Sequence, residues 1–149
     1  MSQSKQHHKD EQSLVIIKPD GVQRSLIGEI IQRYERLGLK MVALKMLVPT
    51  VALVEQHYTL EPGWKKTAGE KSIANFVAKG LTPPSTDPIA VGEAILGRLK
   101  KYMTAGPVIA MVWQGAHACA VIRKITGSTE PLSSDVGTIR GDFMLDSNE

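Results

Sequence analysis

The chain has 149 residues, 42% of them hydrophobic, with 18 Lys and Arg residues against 15 Asp and Glu residues and a formal net charge of +3. This length suits one domain with a single core, and the mild basic excess favours anionic ligands such as phosphates over a dedicated nucleic-acid role. The single cysteine, Cys119, excludes an internal disulfide framework, and no apolar run approaches the roughly 20 residues of a membrane span. We therefore expect a cytoplasmic protein.

The first residues are polar and lack periodicity, so residues 1–12 are predicted to form a disordered leader. The pair His7-His8 has no third metal ligand nearby, and we interpret it as part of an idle tail. Order is predicted to begin at Ser13. The apolar run Leu14–Ile17 is typical of a buried strand that ends in a Lys-Pro-Asp-Gly turn.

Helix and strand patterns alternate after this turn. Apolar residues at helical spacing between Ile27 and Leu37 predict a helix, with Ser25 as its N-cap and Gly38 directly after its last apolar position. Residues 39–48 are rich in β-forming residues and predict a second strand. A short helix is predicted from Pro49-Thr50 to about Tyr58.

The middle of the chain changes character. Proline and glycine punctuate weak helical patterns over residues 59–86, which we predict to be an insertion on the surface. Asp87 as N-cap and Pro88 at the first helical position then predict a helix that continues to Tyr102. Three segments complete the chain: a buried strand at 108–113, a helix from Ala118 closed by Gly127, and an aperiodic loop from Ser128 to Arg140.

The order of these elements predicts the fold class. Two apolar strands, Leu14–Ile17 and Val108–Trp113, stand among helices that each have one apolar face. Such an arrangement is typical of an α+β sandwich in which a small antiparallel sheet is covered by helices.

Three cations leave structural and functional interpretations open. Lys18, at the end of an apolar strand, can extend to solvent, pair with Asp20 or bind a phosphate. Arg123, near a helix C-terminus, is typical of a solvated cation that complements the helix dipole. Arg140 lies in a glycine-rich loop, where its guanidinium can approach an oxyanion bidentately. The Arg-Gly-Asp tripeptide at this position is interpreted as a chance match to an adhesion motif.

These cations, brought into one pocket with a hydroxyl such as that of Thr129, would suit phosphoryl transfer. That chemistry depends on positioning and on charge neutralisation by cations and Mg²⁺. The chain contains no GxxxxGK[ST] loop, no GxGxxG after a strand, and no HExxH, CxxC or GxSxG motif. P-loop, Rossmann, zinc-site and serine-hydrolase interpretations therefore have no support.

Several sequence blocks together carry a resemblance to a known family. They are KPDGVQR at 18–24, IGEII at 27–31, His57-Tyr58, the stretch from Tyr102 to Trp113, and GTIRGDF at 137–143. In this order the blocks resemble the nucleoside diphosphate kinases. The resemblance implies a ferredoxin-like βαββαβ sandwich, a tetrameric or hexameric homo-oligomer and Mg²⁺ as cofactor. It also implies ping-pong transfer of a γ-phosphate between nucleoside tri- and diphosphates, such as ATP/ADP and GTP/GDP, through a phosphohistidine.

The same resemblance assigns expected roles to individual residues. Lys18, Arg123, Thr129 and Arg140 match the phosphate-binding residues, and Mg²⁺ is expected to bind through the phosphates rather than directly. Around Thr129 the sequence Gly-Ser-Thr-Glu-Pro departs from the family's usual Gly-Glu-Thr/Ser-Asn-Pro but keeps the hydroxyl. Two aromatic residues complete the expected site: Tyr58, which would orient the active-site histidine, and Trp64, the nearest candidate for stacking on the base.

The family's catalytic histidine does not match any residue of this chain. In the family it follows the GTIRGDF block in an Asn-Ile-Ile-His-like strand, whereas the histidines here are His7, His8, His57 and His117. We therefore expect residues 13–149 to form a single, C-terminally incomplete domain that lacks the last family strand and is inactive by itself. Rescue by His117 is the alternative.

Three interpretations of the function follow. The first is a nucleoside diphosphate kinase whose histidine lies beyond residue 149, and the second is a nucleotide-binding or scaffold protein that keeps the phosphate pocket without transfer chemistry. An in-frame Asn-x-x-His after Glu149 in the gene would distinguish the first from the second. The third, RNA binding, would need exposed aromatic residues on the sheet, where Trp113 is the aromatic residue of the predicted strands.

Overall fold

The computed structural model describes residues 10–145. Within this range a sheet of three strands is combined with seven helices, and a 3-10 turn at Pro131–Ser133 precedes the last helix. In chain order the elements are β1 (Glu11–Ile17), α1 (Pro19–Gln23), α2 (Ile27–Glu35), β2 (Lys40–Leu47), α3 (Val51–Tyr58), α4 (Trp64–Ala78), α5 (Pro88–Met103), β3 (Val108–Gly115), α6 (Ala118–Thr126) and α7 (Ile139–Phe143).

These elements form two compact units. The sheet unit contains the described residues up to Leu47 together with those from Val108 onward, and the helical unit is Val48–Pro107. A single domain over residues 13–149 stays a prediction.

The sheet unit is built around β3, which pairs antiparallel with β1 on one side and with β2 on the other. Ile109 is in register with Ile17 of β1 and with Met46 of β2. Helix α6 packs on β1 and β3, and α2 packs beside α6. This antiparallel sheet with helices on it confirms the α+β, ferredoxin-like class expected from the sequence.

The core of the sheet unit lies where α2 and α6 meet the central strand. Met111 and Trp113 of β3 are fully buried, and the ring of Trp113 lies 5.4 Å from that of Tyr34 on α2. Burial of such large side chains is the main stabilising term available to a unit of this size. The remaining buried members of this core are Ile17, Ile30, Leu39, Ile109, Ala118 and Ile122.

Two boundaries in the sheet unit differ from the sequence prediction. Strand β1 begins at Glu11, inside the predicted leader, because Glu11 pairs with Gly115 and extends the ladder; residues 1–9 lie outside the described residues. Ser25 does not cap α2. Its φ is 58°, and its N–H donates to the carbonyl of Val22 at 3.1 Å, so it belongs to the end of α1. Helix α1 was not predicted, because its Pro-Asp-Gly sequence is also typical of a turn.

The helical unit contains α3, α4 and α5. Asp87 Oδ1 accepts a hydrogen bond from Ile89 N at 3.0 Å, so the predicted N-cap of α5 is confirmed. Thr50 caps α3 in the same way, accepting from Leu53 N at 3.2 Å. Capping of this kind satisfies backbone N–H groups that have no partner within the first turn of a helix.

Much of the predicted surface insertion is a regular helix. Helix α4 has 15 residues and packs along α5. A Cβ atom on Gly69 would lie 1.8 Å from the carbonyl oxygen of Pro88, and one on Gly92 would lie 2.0 Å from that of Lys65. The two helix backbones therefore meet at glycines, which explains why the apolar pattern of α4 is weak although the helix is packed.

Candidate phosphate-binding site

Lys18 lies at the junction of β1 and α1, where its extended backbone (φ −74°, ψ 169°) precedes the first turn of the helix. The residue is exposed to solvent, yet protein atoms surround its ammonium group. This desolvation lowers the pKa of Lys18, the positive charge of Arg140 lowers it further, and Asp20 partly opposes both. A ligand can therefore reach Lys18, and the positive charge of Arg140 disfavours the charged form of this lysine.

Arg140 is the second residue of α7 and is half-buried. Its Nη1 donates a hydrogen bond to the carbonyl oxygen of Gly127 at 3.0 Å. Burial lowers the pKa of Arg140, and its interaction with Tyr34 acts in the opposite direction. One guanidinium nitrogen is thereby used to hold the side chain in place. The guanidinium has further N–H donors with which to bind an anion.

Gly127, which ends α6, has a conformation that only glycine adopts readily, with φ 87° and ψ 176°. A Cβ atom there would lie 2.6 Å from Thr138 Oγ1 and 2.8 Å from Ser134 Oγ. The carbonyl that anchors Arg140 is therefore presented by a residue at which both the backbone conformation and the surrounding loop disfavour a side chain.

A hydrogen-bond chain connects α2 to the last turn of α6. Thr126 Oγ1 donates to the carbonyl of Ile122 at 2.7 Å and lies 2.9 Å from the hydroxyl oxygen of Tyr34. Because the single proton of the Thr126 hydroxyl is used by Ile122, Tyr34 is the donor in the second bond. Burial raises the pKa of Tyr34, so this hydroxyl keeps its proton. The residue before Gly127 is thus tied to the core.

Arg123 and Thr129 lie on either side of Gly127. Arg123 is in the last turn of α6, and both of these residues are exposed to solvent. Within residues 10–145 the Arg123 guanidinium makes no hydrogen bond or ion pair, so its donors are available to a ligand. In the folded sheet unit the charge of Arg140 therefore acts on Lys18 and lowers its pKa, and Arg123 and Thr129 flank Gly127, the residue that anchors Arg140.

The two expected aromatic site residues contact each other within the helical unit. Tyr58 ends α3 and Trp64 begins α4, and their ring centroids are 5.4 Å apart with an interplanar angle of 48°. The ring of His57 meets Tyr58 edge-on at 5.0 Å. Burial raises the pKa of Tyr58, which keeps its hydroxyl protonated. This group of three rings is called the aromatic cluster below.

Two charged residues near Arg140 were missed by the sequence analysis. Arg33 on α2 and Asp142 on α7 form an ion pair of 2.8 Å. The spacing of Glu29 and Arg33 on one helix indicates an i,i+4 pair, which the structure contains at 3.1 Å. No local pattern could indicate that Arg33 also reaches α7, because this contact depends on the tertiary fold.

Other kinds of site find little support in the part of the chain that the structure describes. Residues 10–145 contain no group of three or more His, Cys, Asp and Glu side chains that could hold a metal ion. In the same range no helix is long and apolar enough to cross a bilayer. Trp113 is fully buried, so it cannot act as the exposed base-stacking residue that the RNA-binding interpretation requires.

Comparison with known proteins decides the family. A family model described as "Nucleoside diphosphate kinase" matches residues 11–79 and 90–149. A nucleoside diphosphate kinase from Pyrobaculum aerophilum is 43% identical over 141 residues, which covers 92% of this chain and 77% of that protein. The chain belongs to the nucleoside diphosphate kinase family. A relative of the same name from Prochlorococcus marinus is 40% identical over 136 residues, covering 91% of this chain and 71% of the relative.

Solved structures of this family have the same fold. The crystal structure of an NDP kinase from Pyrobaculum aerophilum superposes with a TM-score of 0.85 at 41% identity, covering 90% of this chain and 76% of that one. A nucleoside-diphosphate kinase from Borrelia burgdorferi, solved as a transition-state mimic with vanadate and ADP, has a TM-score of 0.70 at 35% identity, covering 95% and 70%.

The family-model match also shortens the surface insertion that was predicted at residues 59–86. Residues 59–79, which include α4, lie inside the first matched range of the nucleoside diphosphate kinase model. Residues 80–89 fall between the two matched ranges. The segment outside the family pattern is therefore shorter than the sequence analysis predicted, because glycine-mediated helix packing leaves little periodicity to recognise.

Proposed function

We propose that this chain binds Mg²⁺ complexes of nucleoside di- and triphosphates through Lys18, Arg123, Thr129 and Arg140. The reaction it serves is the ping-pong transfer of a γ-phosphate between nucleotides through a phosphohistidine. The observation that carries the proposal is the Arg140 guanidinium, held by the Gly127 carbonyl at 3.0 Å, whose positive charge lowers the pKa of Lys18. Membership of a family of nucleotide phosphotransferases supports it, and in one relative the solved complex contains vanadate and ADP.

The electrostatics of the two cations favour a polyphosphate ligand. Lys18 and Arg140 repel each other, and each is partly removed from water by the protein around it. An anion between them would relieve the repulsion and accept charge-assisted hydrogen bonds from both. Lysine supplies a compact charge for this purpose, whereas arginine supplies a planar donor pair that matches two phosphate oxygens.

Magnesium is proposed to arrive with the nucleotide. The described residues offer no cluster of carboxylates or imidazoles to hold the ion, whereas phosphate oxygens are ligands that Mg²⁺ favours. When bound, Mg²⁺ neutralises charge on the phosphate oxygens. Lys18, Arg123 and Arg140 would orient the same phosphates, and the aromatic cluster is proposed to supply Tyr58 for histidine orientation and Trp64 for base stacking.

Binding of Mg-ADP is expected to take up a proton at alkaline pH. In the free protein the pKa of Lys18 is below its ordinary value of about 10.4, and a bound phosphate would raise it again. Between these two pKa values the lysine is neutral when free and charged when bound. Calorimetry at a series of alkaline pH values, each in two buffers of different ionisation enthalpy, measures the uptake.

Lys18→Arg is the matched variant, because arginine stays charged over this pH range. It is expected to bind Mg-ADP without proton uptake and with an affinity that changes little with pH. For the wild type, the affinity should fall as pH rises through the lowered pKa of Lys18. Identical binding enthalpies in both buffers for the wild type would contradict the proposed contact between Lys18 and phosphate.

The histidine that carries the phosphoryl group is proposed to lie outside residues 1–149. His117 precedes α6 and Gly127 follows it, so about 15 Å of helix axis separates them at roughly 1.5 Å per residue. His57 belongs to the aromatic cluster, where its ring packs edge-on against Tyr58. The position of His117 does not support it as a nucleophile beside Arg140, and the ring of His57 is already engaged by Tyr58.

The 149-residue chain, incubated with γ-labelled ATP, is therefore expected to acquire no acid-labile, base-stable phosphate. A nucleoside diphosphate kinase that carries the family's histidine serves as the positive control in the same assay. Appreciable label on the wild-type chain that is lost in His117→Ala or His57→Ala would overturn the assignment. Label that survives both substitutions would direct attention to His7 and His8, which lie outside the described residues.

The second candidate function is a nucleotide-binding or scaffold protein without phosphoryl transfer. The same cations support it, since binding requires only the phosphate pocket. Assembly into a tetramer or hexamer belongs to the main proposal and is supported by β2, an edge strand whose Leu44 and Met46 are 51% and 56% exposed. A cytoplasmic location is also proposed, and the exposed free thiol of Cys119 supports it.

A further inference from the structure

The segment that carries Arg140 is held by an arginine on a different helix. Arg33, on α2, directs its Nη1 to two acceptors on this segment: the carbonyl of Gly137 at 3.2 Å and Asp142 Oδ2 at 2.8 Å. Its guanidinium carbon also lies 4.7 Å from the centre of the Phe143 ring. Arg33 thus contacts the residue before the Thr138 cap of α7 and the last two residues of the helix.

The other two nitrogens of the Arg33 guanidinium also form hydrogen bonds. Nε and Nη2 of Arg33 both donate to Glu29 Oε1 at 3.1 Å. All three nitrogens of the guanidinium are engaged, and the side chain is only 18% exposed. A side chain held at each nitrogen has lost most of its rotamer freedom. Arg33 therefore fixes where α7 lies relative to α2.

Asp142 links the two ends of the segment. Its Oδ1 accepts a hydrogen bond from Gly137 N at 2.8 Å while its Oδ2 pairs with Arg33. The Gly137 hydrogen bond and the Arg33 guanidinium hold the pKa of Asp142 below its ordinary value, so the carboxylate is charged at neutral pH. A second arginine, Arg24, donates to the carbonyl of Phe143 at 2.7 Å.

A helix as short as α7 needs such contacts. It has five residues, and an isolated helix of fewer than about 12 residues is marginal in water. A partly exposed ion pair contributes little to global stability, so the main effect of Arg33 is local order in residues 137–143. Arg140 lies in the middle of this segment, between the two points that Arg33 contacts.

We propose that Arg33 is a positioning residue for phosphate binding, which fixes the direction of the Arg140 guanidinium by clamping residues 137–143 onto α2. The inference rests on the proposed function, since it concerns the same phosphate site. In this role Arg33 affects phosphate binding through Arg140 and not by contacting the ligand, and this separates it from an arginine that merely stabilises the fold.

The test is a double-mutant cycle between Arg33 and Arg140, with Mg-ADP affinity measured by calorimetry. Arg33→Ala is expected to weaken binding by about five- to tenfold in the wild-type background and by less than about twofold in the Arg140→Ala background. Arg33→Lys is expected to restore only part of the affinity, because lysine keeps the charge but cannot contact Glu29, Gly137 and Asp142 together. Arg36→Ala on the same helix end is the charge-matched control.

Asp142→Asn provides a second, nearly isosteric variant should Arg33→Ala fail to fold, and it is expected to behave like Arg33→Ala in the same cycle. An equal loss of affinity in both backgrounds would show a structural role alone and overturn the inference, as would wild-type affinity in Arg33→Ala and Asp142→Asn. Absence of Mg-ADP binding by the wild type itself would overturn the proposed function, and the inference with it. That outcome can be distinguished from failure of the inference alone, because it is measured on the wild-type chain.

Discussion

Replacement of Arg140 by alanine is expected to weaken Mg-ADP binding by about 10- to 100-fold, because a hydrogen bond to a charged group contributes about 1.5–3 kcal/mol. Its guanidinium is half-buried and already oriented by the hydrogen bond to Gly127. A pre-oriented donor loses little entropy when a phosphate binds, so the full value of the interaction is available. Calorimetric titration with Mg-ADP at neutral pH measures the effect.

Three comparisons make this result specific. Arg123→Ala is expected to cost less than Arg140→Ala, since the exposed Arg123 side chain has to be ordered on binding. Arg36→Ala removes the same charge from the end of α2, where its side chain is exposed, and should bind like the wild type. Equal affinities for wild type and Arg140→Ala would remove the basis for placing the phosphate site here. A thermal melt of each variant verifies that the fold is retained.

Gly127→Ala is expected to impair both stability and binding. The backbone at Gly127 has φ 87° and ψ 176°, a region that is essentially confined to glycine and whose forced occupation costs about 1–3 kcal/mol. The new methyl group would also lie 2.6 Å from Thr138 Oγ1 and 2.9 Å from Thr138 Cβ. Relief of this clash has to move Thr138, which caps α7, or the carbonyl that anchors Arg140.

Urea unfolding and Mg-ADP titration of the same samples measure the two effects. We expect a loss of at least about 2 kcal/mol in the free energy of unfolding and a loss of affinity comparable to that of Arg140→Ala. Gly28→Ala is the matched control: Gly28 lies inside α2 with open space around its Cα, so alanine there should stabilise by about 0.5–1 kcal/mol. Wild-type stability in Gly127→Ala would disprove the constraint.

Local sequence signals predicted the elements whose start or end depends on a few neighbouring residues. The Asp87-Pro88 start of α5 and the Gly127 stop of α6 are confirmed because capping chemistry acts within a few residues. Strands β1 and β3 were predicted from their continuous apolar runs, but only β3 is largely buried. The predicted burial of Leu14–Ile17 is wrong for most of the run, because β1 buries only Ile17 and leaves Leu14 54% exposed. Helix α4 was missed as a regular element, since its contact with α5 is made by backbone at Gly69.

The candidate site likewise contains some residues that local motifs indicate and others that only the tertiary structure reveals. Lys18 and Arg140 could each be singled out within a specific motif, KPDGVQR or GTIRGDF. Their neighbours could not: Tyr34 is one of the apolar positions of the helix predicted between Ile27 and Leu37, and no sequence pattern singled out Arg33. The contacts of these two residues with α6 and α7 join chain segments about a hundred residues apart, where no spacing rule applies.

The sequence by itself determined the family and the α+β class and singled out Lys18, Arg123 and Arg140 as candidate phosphate ligands, because motif chemistry and hydrophobic periodicity are local properties. Only the tertiary structure decided which of these cations influence each other. In the folded sheet unit, where α6 packs on β3 and α2 packs beside α6, the charge of Arg140 lowers the pKa of Lys18. The direction of Arg140 follows from its bond to Gly127 and from the clamp of Arg33, and both are long-range contacts that form when the core does.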